Sequence, residues 1–110
     1  MHTLQSEEQL QTEYNKGNVI LLFSANWCGD CRFIDPFMPE VEEKYKDSFT
    51  FVKVDRDQFI DVCISYDVFG IPSFIAIQDG EVVDRFVSKD RKTQEEIESF
   101  LDGVQTKVSA

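Results

Sequence analysis

Val19-Ile20-Leu21-Leu22-Phe23 is an unbroken apolar, β-prone run. Successive side chains of a strand point to opposite faces. A run with no polar residue on either face therefore demands cover on both sides, as in a central strand of a layered α/β protein. The run is far too short to cross a bilayer. The rest of the chain must supply helices for two layers.

Residues from Leu4 to Asn15 read as a short helix with an uneven apolar face (Leu4, Leu10, Tyr14), and Ser6 with Gln9 as its capping box. From Cys31 onward Ile34, Phe37, Met38, Val41 and Tyr45 recur at helical spacing. Pro36 and Pro39 each remove an amide donor from that stretch, so the expectation is a kinked helix. Thr50 to Val54 reads as a second strand, with Phe49, Phe51, Lys53 and Asp55 alternating with Thr50, Val52 and Val54. Phe59, Val62, Cys63 and Tyr66 mark another amphipathic helix. Ser73 to Gln78 and Val82 to Val87 read as strands joined at Asp79-Gly80, a strong hairpin signal. Thr93 with Glu96 opens a last helix whose buried stripe is Ile97, Phe100, Leu101 and Val104. The order α-β-α-β-α-β-β-α, with short connections and no linker, implies one α/β domain over residues 1–110. Its sheet is expected to be mixed, with helices on both faces and the last strand antiparallel.

Trp27-Cys28-Gly29-Asp30-Cys31 falls where the apolar strand gives way to a helix. A helix start presents unpaired amides and partial positive charge, which favour a thiolate at the first sulfur. Thiolate is the attacking species in disulfide exchange, and a second sulfur one turn on is placed to attack the resulting mixed disulfide. Two cysteines at this spacing in a strand–helix context point to a redox-active dithiol. A zinc site needs four ligands, and beyond this pair only Cys63 and His2 remain, neither at ligand spacing. A structural staple closing so small a loop contributes only roughly 2 kcal/mol. Two inert core cysteines fit poorly with Gly29 and Asp30 between them. Cys63 lies on an apolar helical stripe and reads as packing; His2, near an unanchored terminus, reads as inert.

The net charge of −10 argues against nucleic-acid binding, which needs a basic patch. Met1 to Glu8 lacks the basic and apolar regions of a signal peptide, so the expected location is the cytoplasm, where structural disulfides are disfavoured.

With the strand, the Trp27–Cys31 motif and Gly70-Ile71-Pro72-Ser73-Phe74 in view, the chain resembles the thioredoxin family over nearly its whole length. The resemblance implies a thioredoxin fold: a central four- to five-stranded mixed sheet flanked by helices on both faces, with room for a short extra N-terminal strand. It implies Cys28 as the exposed nucleophile and Cys31 as the buried resolving thiol. Pro72 matches the family's cis-proline beside the dithiol, and Ile71 would pair backbone to backbone with a bound substrate. Trp27, Ile71 and Pro72 then form the docking surface, while Gly29, Asp30 and Lys53 modulate the site. Pro36 matches the family's helix-kinking proline. Four positions depart from the pattern: Leu22 stands at a buried aspartate, Ser24 at an aromatic, Ser88 at a glycine and Asp30 at the proline between the cysteines. Asp30, Asp35 or water are the candidates to replace the acid absent at Leu22. Asp30 also sets a negative charge beside the first sulfur, which works against a thiolate and toward a lower potential.

The expected function is disulfide reduction through Cys28 and Cys31 by a monomer, with no cofactor beyond the dithiol and no metal. The resemblance supplies disulfide-containing protein substrates and a thioredoxin-reductase-like flavoprotein as electron donor; neither nucleic acid nor membrane is expected as a partner. The alternative is a non-catalytic module holding a partner in the Trp27/Ile71/Pro72 groove. An oxidase or isomerase needs a higher potential and an oxidising compartment.

Overall fold

The apolar run is the middle of β2 (Asn18–Ser24), the centre of a five-stranded sheet in a computed structural model that describes residues 1–109. Its alternate side chains go to two separate clusters. Ile20 and Leu22 join one face with Ile34, Met38, Val41, Phe74, Ile97 and Leu101. Val19, Leu21 and Phe23 join the other with Leu4, Val52, Val62, Cys63 and Ile75. Two-sided cover is thus met by α2 (Gly29–Ile34), α3 (Met38–Tyr45) and α5 (Gln94–Ser109) on the first face. The second face is covered by α4 (Ile60–Ser65) and the N-terminal segment around α1 (Gln9–Thr12).

The strand order is β1-β3-β2-β4-β5, with β1 (His2–Thr3), β3 (Thr50–Asp55), β4 (Ser73–Gln78) and β5 (Glu81–Phe86). β1 and β2 run parallel to β3, whereas β4 is antiparallel to both β2 and β5. The odd strand is therefore β4 and not the last one. A six-residue helix advances only about 9 Å against about 20 Å for a six-residue strand. With α4 that short, the chain re-enters the sheet at the end where β3 left it. Ser24 pairs with Asp55, and Phe23 with Ser73.

Three local expectations change. The N-terminal helix shrinks to Gln9–Thr12, because residues 2–4 zip onto the edge of β3 and the Leu4 amide donates to the Lys53 carbonyl at 2.8 Å. The Ser6–Gln9 capping box does not form; the Gln9 carboxamide oxygen accepts from the Gln5 amide at 2.7 Å. The terminus bearing His2 is anchored by β1 and by the Met1 ammonium, 2.8 Å from Glu42. The kinked helix is two helices, α2 and α3, joined by a turn in which the Phe37 amide reaches back three residues to Ile34. Pro36 lies in that turn, and Pro39 sits in the first turn of α3, where its missing amide costs nothing. The apolar stripe survives the break, with Ile34, Met38, Val41 and Tyr45 all buried.

Asp79 and Gly80 both take positive φ (50° and 86°), the requirement of the tight hairpin turn linking β4 to β5. The last helix opens with the reciprocal pair read from its sequence: Thr93 Oγ1 accepts from the Glu96 amide at 3.2 Å, and Glu96 Oε1 from the Thr93 amide at 2.9 Å.

Phe74 is fully buried between Leu22, its partner across β2, and the rings of Phe86 and Phe100. Phe74→Ala is expected to cost about 3–5 kcal/mol of stability. Thr93→Ala, which loses one half of the capping box, is expected to cost about 1 kcal/mol. Urea titration of the two variants beside the parent checks both figures and their order.

Candidate active site

The dithiol is built where three chain segments meet at the end of β2. The strand leaves the sheet at Ser24, and the Cys28 amide turns back onto the Ala25 carbonyl at 3.2 Å. Cys28 has an extended backbone (φ −82°, ψ 114°) and caps α2 through its sulfur, which accepts from the Cys31 amide at 3.2 Å. An N-cap acceptor is usually a side-chain oxygen; here a sulfur holds the position. The Cys28 thiol also reaches the Ile71 carbonyl at 3.9 Å. Sγ is turned toward two backbone groups, and the residue is 7% exposed instead of openly displayed.

Cys31 is one turn on and fully inside. Burial first, and then its hydrogen bond with Cys28, push the Cys31 thiol up to about 12. Cys63 is also buried, and burial raises its thiol as well.

The Ile71–Pro72 peptide is cis. The preceding Gly70 lies so close to the connection after β5 that a Cβ there would stand 2.6 Å from the Ser88 carbonyl oxygen. Trp27 remains 60% exposed, yet it is held: its ring N–H donates to Asp57 at 2.7 Å, and the Arg56 guanidinium lies 5.8 Å from the ring centre. Trp27, Cys28, Gly29, Asp30 and Ile71 line one groove of about 510 Å³, with Ile60, Ile64, Phe69, Arg56 and Lys89 on its other walls.

Lys53 and the buried Pro72, both assigned to the site, are not among the residues that line the groove. Lys53 pairs loosely with Asp35 at 3.9 Å, and both border a separate hollow of about 300 Å³ that also includes Leu22. Asp30 lines the groove, but its charge is not alone: its carboxylate accepts from Arg91 Nε at 2.9 Å. Neither Asp30 nor Asp35 is a hydrogen-bond partner of Cys31, although the charge of Asp35 helps hold that thiol protonated.

Four residues around the groove, none of them lining it, escaped the sequence reading as contacts: Arg91, Lys92, Ser88 and Asp57. Arg91 pairs with Asp30 and stacks its guanidinium 4.3 Å from the Phe33 ring centre. Lys92 is 1% exposed, with Nζ donating to Ser88 Oγ and the Asp90 carbonyl, each at 3.1 Å. Arg91 and Asp30 are 61 positions apart, so no local pattern joins them. Lys89-Asp90-Arg91-Lys92 looks like a solvated loop.

The arrangement presents one sulfur to a groove, backs it with a protonated second sulfur, and lines the approach with apolar side chains and cations. A family model described as Thioredoxin matches residues 2–103. A Thioredoxin H-type of Ricinus communis is 39% identical over 88 residues, covering 78% of this chain and 74% of that protein. A mitochondrial thioredoxin of Mus musculus is 36% identical over 83 residues, or 76% of this chain and 49% of the relative, so the chain spans about half of its length. A solved structure concerned with thiol resolution in yeast mitochondrial 1-Cys peroxiredoxin superposes with a TM-score of 0.77. It covers 93% of this chain and 94% of its own at 20% identity, a likeness of fold alone.

The Asp30–Arg91 pair makes a test of the field at Cys28. Arg91→Met exposes the Asp30 charge, disfavours a thiolate and should lower the potential of the Cys28/Cys31 couple. Asp30→Asn leaves Arg91 unopposed and should raise it. For an exposed pair each shift is expected to be on the order of 10–20 mV, read by equilibration against a thiol–disulfide buffer. Shifts of the same sign for both variants would refute the electrostatic account.

Proposed function

The chain belongs to the thioredoxin family, and on that footing we propose that it is a thiol–disulfide oxidoreductase that reduces protein or small-molecule disulfides with Cys28 as nucleophile and Cys31 as resolving thiol. The observation that carries this reading is the pair of contacts on Cys28 Sγ, from the Cys31 amide at 3.2 Å and to the Ile71 carbonyl at 3.9 Å. The amide favours a charged sulfur there. The Ile71 carbonyl stands beside that sulfur, where a substrate backbone would pair.

The steps in this reading are those of thiol–disulfide exchange. A substrate disulfide settles on Trp27, Ile71 and Pro72, and the Cys28 thiolate attacks one of its sulfurs, releasing the other as a thiolate. Cys31, deprotonated, then attacks Cys28 Sγ. The Cys28–Cys31 bond forms, the bond to substrate breaks, and its electron pair leaves on the second substrate sulfur. A high Cys31 pKa keeps the second thiol silent until the first step has brought a disulfide within one turn of helix. No cofactor beyond the dithiol enters these steps; an external donor, a thioredoxin-reductase-like flavoprotein, would return the electrons. A reducing, cytoplasmic setting belongs to the same reading.

Insulin-disulfide reduction with dithiothreitol tests it. Wild type should accelerate the reaction, and Cys28→Ser should fall to the uncatalysed background. Cys31→Ser should accumulate a covalent adduct through Cys28, visible by mass spectrometry. Cys28→Ser retaining wild-type activity would remove the assigned nucleophile. Wild type at background with both dithiothreitol and a flavoprotein reductase would instead favour a non-catalytic binding module.

A further inference from the structure

Lys92 is a lysine inside the protein, and nothing in the steps above uses it. Its Nζ donates to Ser88 Oγ at 3.1 Å, the Asp90 carbonyl at 3.1 Å and the Ser88 carbonyl at 3.4 Å, and it stands 5.1 Å from the Phe86 ring centre. All three partners are neutral oxygens. Lys92 takes part in none of the ion pairs found among the described residues. An apolar side chain of the same length would fill this space without the cost of desolvating an ammonium. Packing therefore does not account for the charge.

The segment that carries Lys92 is fastened to the dithiol on two sides. Arg91 grips Asp30 and Phe33 on α2, and Ser88 lies against Gly70, next to the Ile71 that contacts Cys28. The acidic groups facing Lys92 are Asp90 on its own segment, Glu96 on α5, and Asp30 and Cys31 on α2. Two of these carboxylates are engaged elsewhere, Asp30 by Arg91 and Glu96 by the Thr93 amide. Cys31 is the one buried acid among them with no cation of its own. In the layer on which Phe86 packs, the β2 residue paired with Phe74 is Leu22, which brings no charge.

We propose that the buried ammonium of Lys92 is a positioning residue for the resolving step, favouring the Cys31 thiolate as that sulfur attacks the mixed disulfide on Cys28. The inference rests on the assignment of Cys28 as nucleophile and Cys31 as resolver. In the step concerned the Cys31 thiol gives its proton to solvent, its sulfur bonds to Cys28 Sγ, and the bond from Cys28 to the substrate sulfur breaks with its electron pair on the departing thiolate. Lys92 keeps its proton throughout and acts through its charge. Burial lowers the Lys92 amine from the ordinary lysine value, while Asp90 and Cys31 pull the other way. Above the pH at which Lys92 deprotonates, its help is lost.

The two steps separate with an aromatic disulfide, dithiobis-nitrobenzoate, followed by stopped-flow absorbance. The first equivalent of thionitrobenzoate reports attack by Cys28 and the second reports resolution by Cys31. K92M should leave the first phase unchanged and slow the second on the order of tenfold, the thiolate fraction lost for each unit of pKa. Its second phase should also need a higher pH, and K92R should restore both rate and profile. A second phase in K92M with the wild-type rate and pH dependence overturns the proposal, and equal slowing in K92R overturns it by assigning the effect to shape. If K92M does not fold by circular dichroism, the wild-type profile decides. A break from unit slope where Lys92 titrates supports the proposal, and a straight unit slope overturns it. Absence of a first phase in wild type removes the Cys28 assignment itself, and this inference with it.

Discussion

Burying β2 on both faces is the constraint from which the site follows. A strand whose every side chain is inside must have paired neighbours on both edges and helices on both faces. Here β3 and β4 supply the edges. Because β3 runs parallel to β2 and β4 antiparallel, the end of β2, the end of β3 and the start of β4 coincide. Three connections emerge together there: Trp27 to Cys31, Arg56 with Asp57, and Gly70 to Pro72. Each contributes something the others lack. The first brings sulfur, the second an orienting partner for the Trp27 indole, the third a carbonyl against Cys28. Ligand sites at the carboxyl ends of sheet strands are common in α/β proteins for this reason.

The charge of the whole chain misrepresents the charge at the site. The protein carries −10, yet the groove around Cys28 is walled by Arg56 and Lys89, with Arg91 on Asp30 and Lys92 beneath. At physiological salt, exposed charges beyond about 8 Å are largely screened. The field at the two sulfurs is therefore set by the nearby charges, Asp35 among them, and not by the acidic remainder. Asp30 taken alone suggests a more reducing couple; paired with Arg91 it contributes a dipole whose net effect on Cys28 is smaller.

What could be read from the sequence was whatever short-range pattern determines. The unbroken apolar run 19–23, the alternation along 50–54, helical spacing along 97–104, the Asp79-Gly80 turn and the Thr93/Glu96 box all carry their own instructions, and these elements stand near their expected bounds; the stripe along 34–45 also holds, though across two helices. Cys28 and Cys31 were legible because a strand–helix junction and a two-residue spacing are local facts. Long-range pairing decided the rest. Residues 1–4 have no propensity that announces an edge strand; only β3, fifty positions away, makes one of them. The direction of β4 depended on how little distance α4 covers. Arg91 and Lys92 were invisible because a run of charges reads as solvent-facing until the fold closes over it.

The placement of Lys92 also explains how a charge coexists with so apolar a strand. Every carbonyl of a central strand is committed to its ladder, so a charged side chain on β2 would compete for acceptors already in use. A connection has free carbonyls, and Ser88 and Asp90 offer theirs to Lys92 within residues 88–92. Leu22 thus keeps its packing against Phe74, and the ionic group near the dithiol comes from the β5–α5 connection instead. That division separates two properties that a buried strand charge would couple. The sheet's stability resides in β2 and its two clusters, whereas the buried ammonium resides in a loop held by Arg91, Ser88 and Gly70. Substitutions in residues 88–92 can then retune the dithiol while leaving intact the strand that positions it.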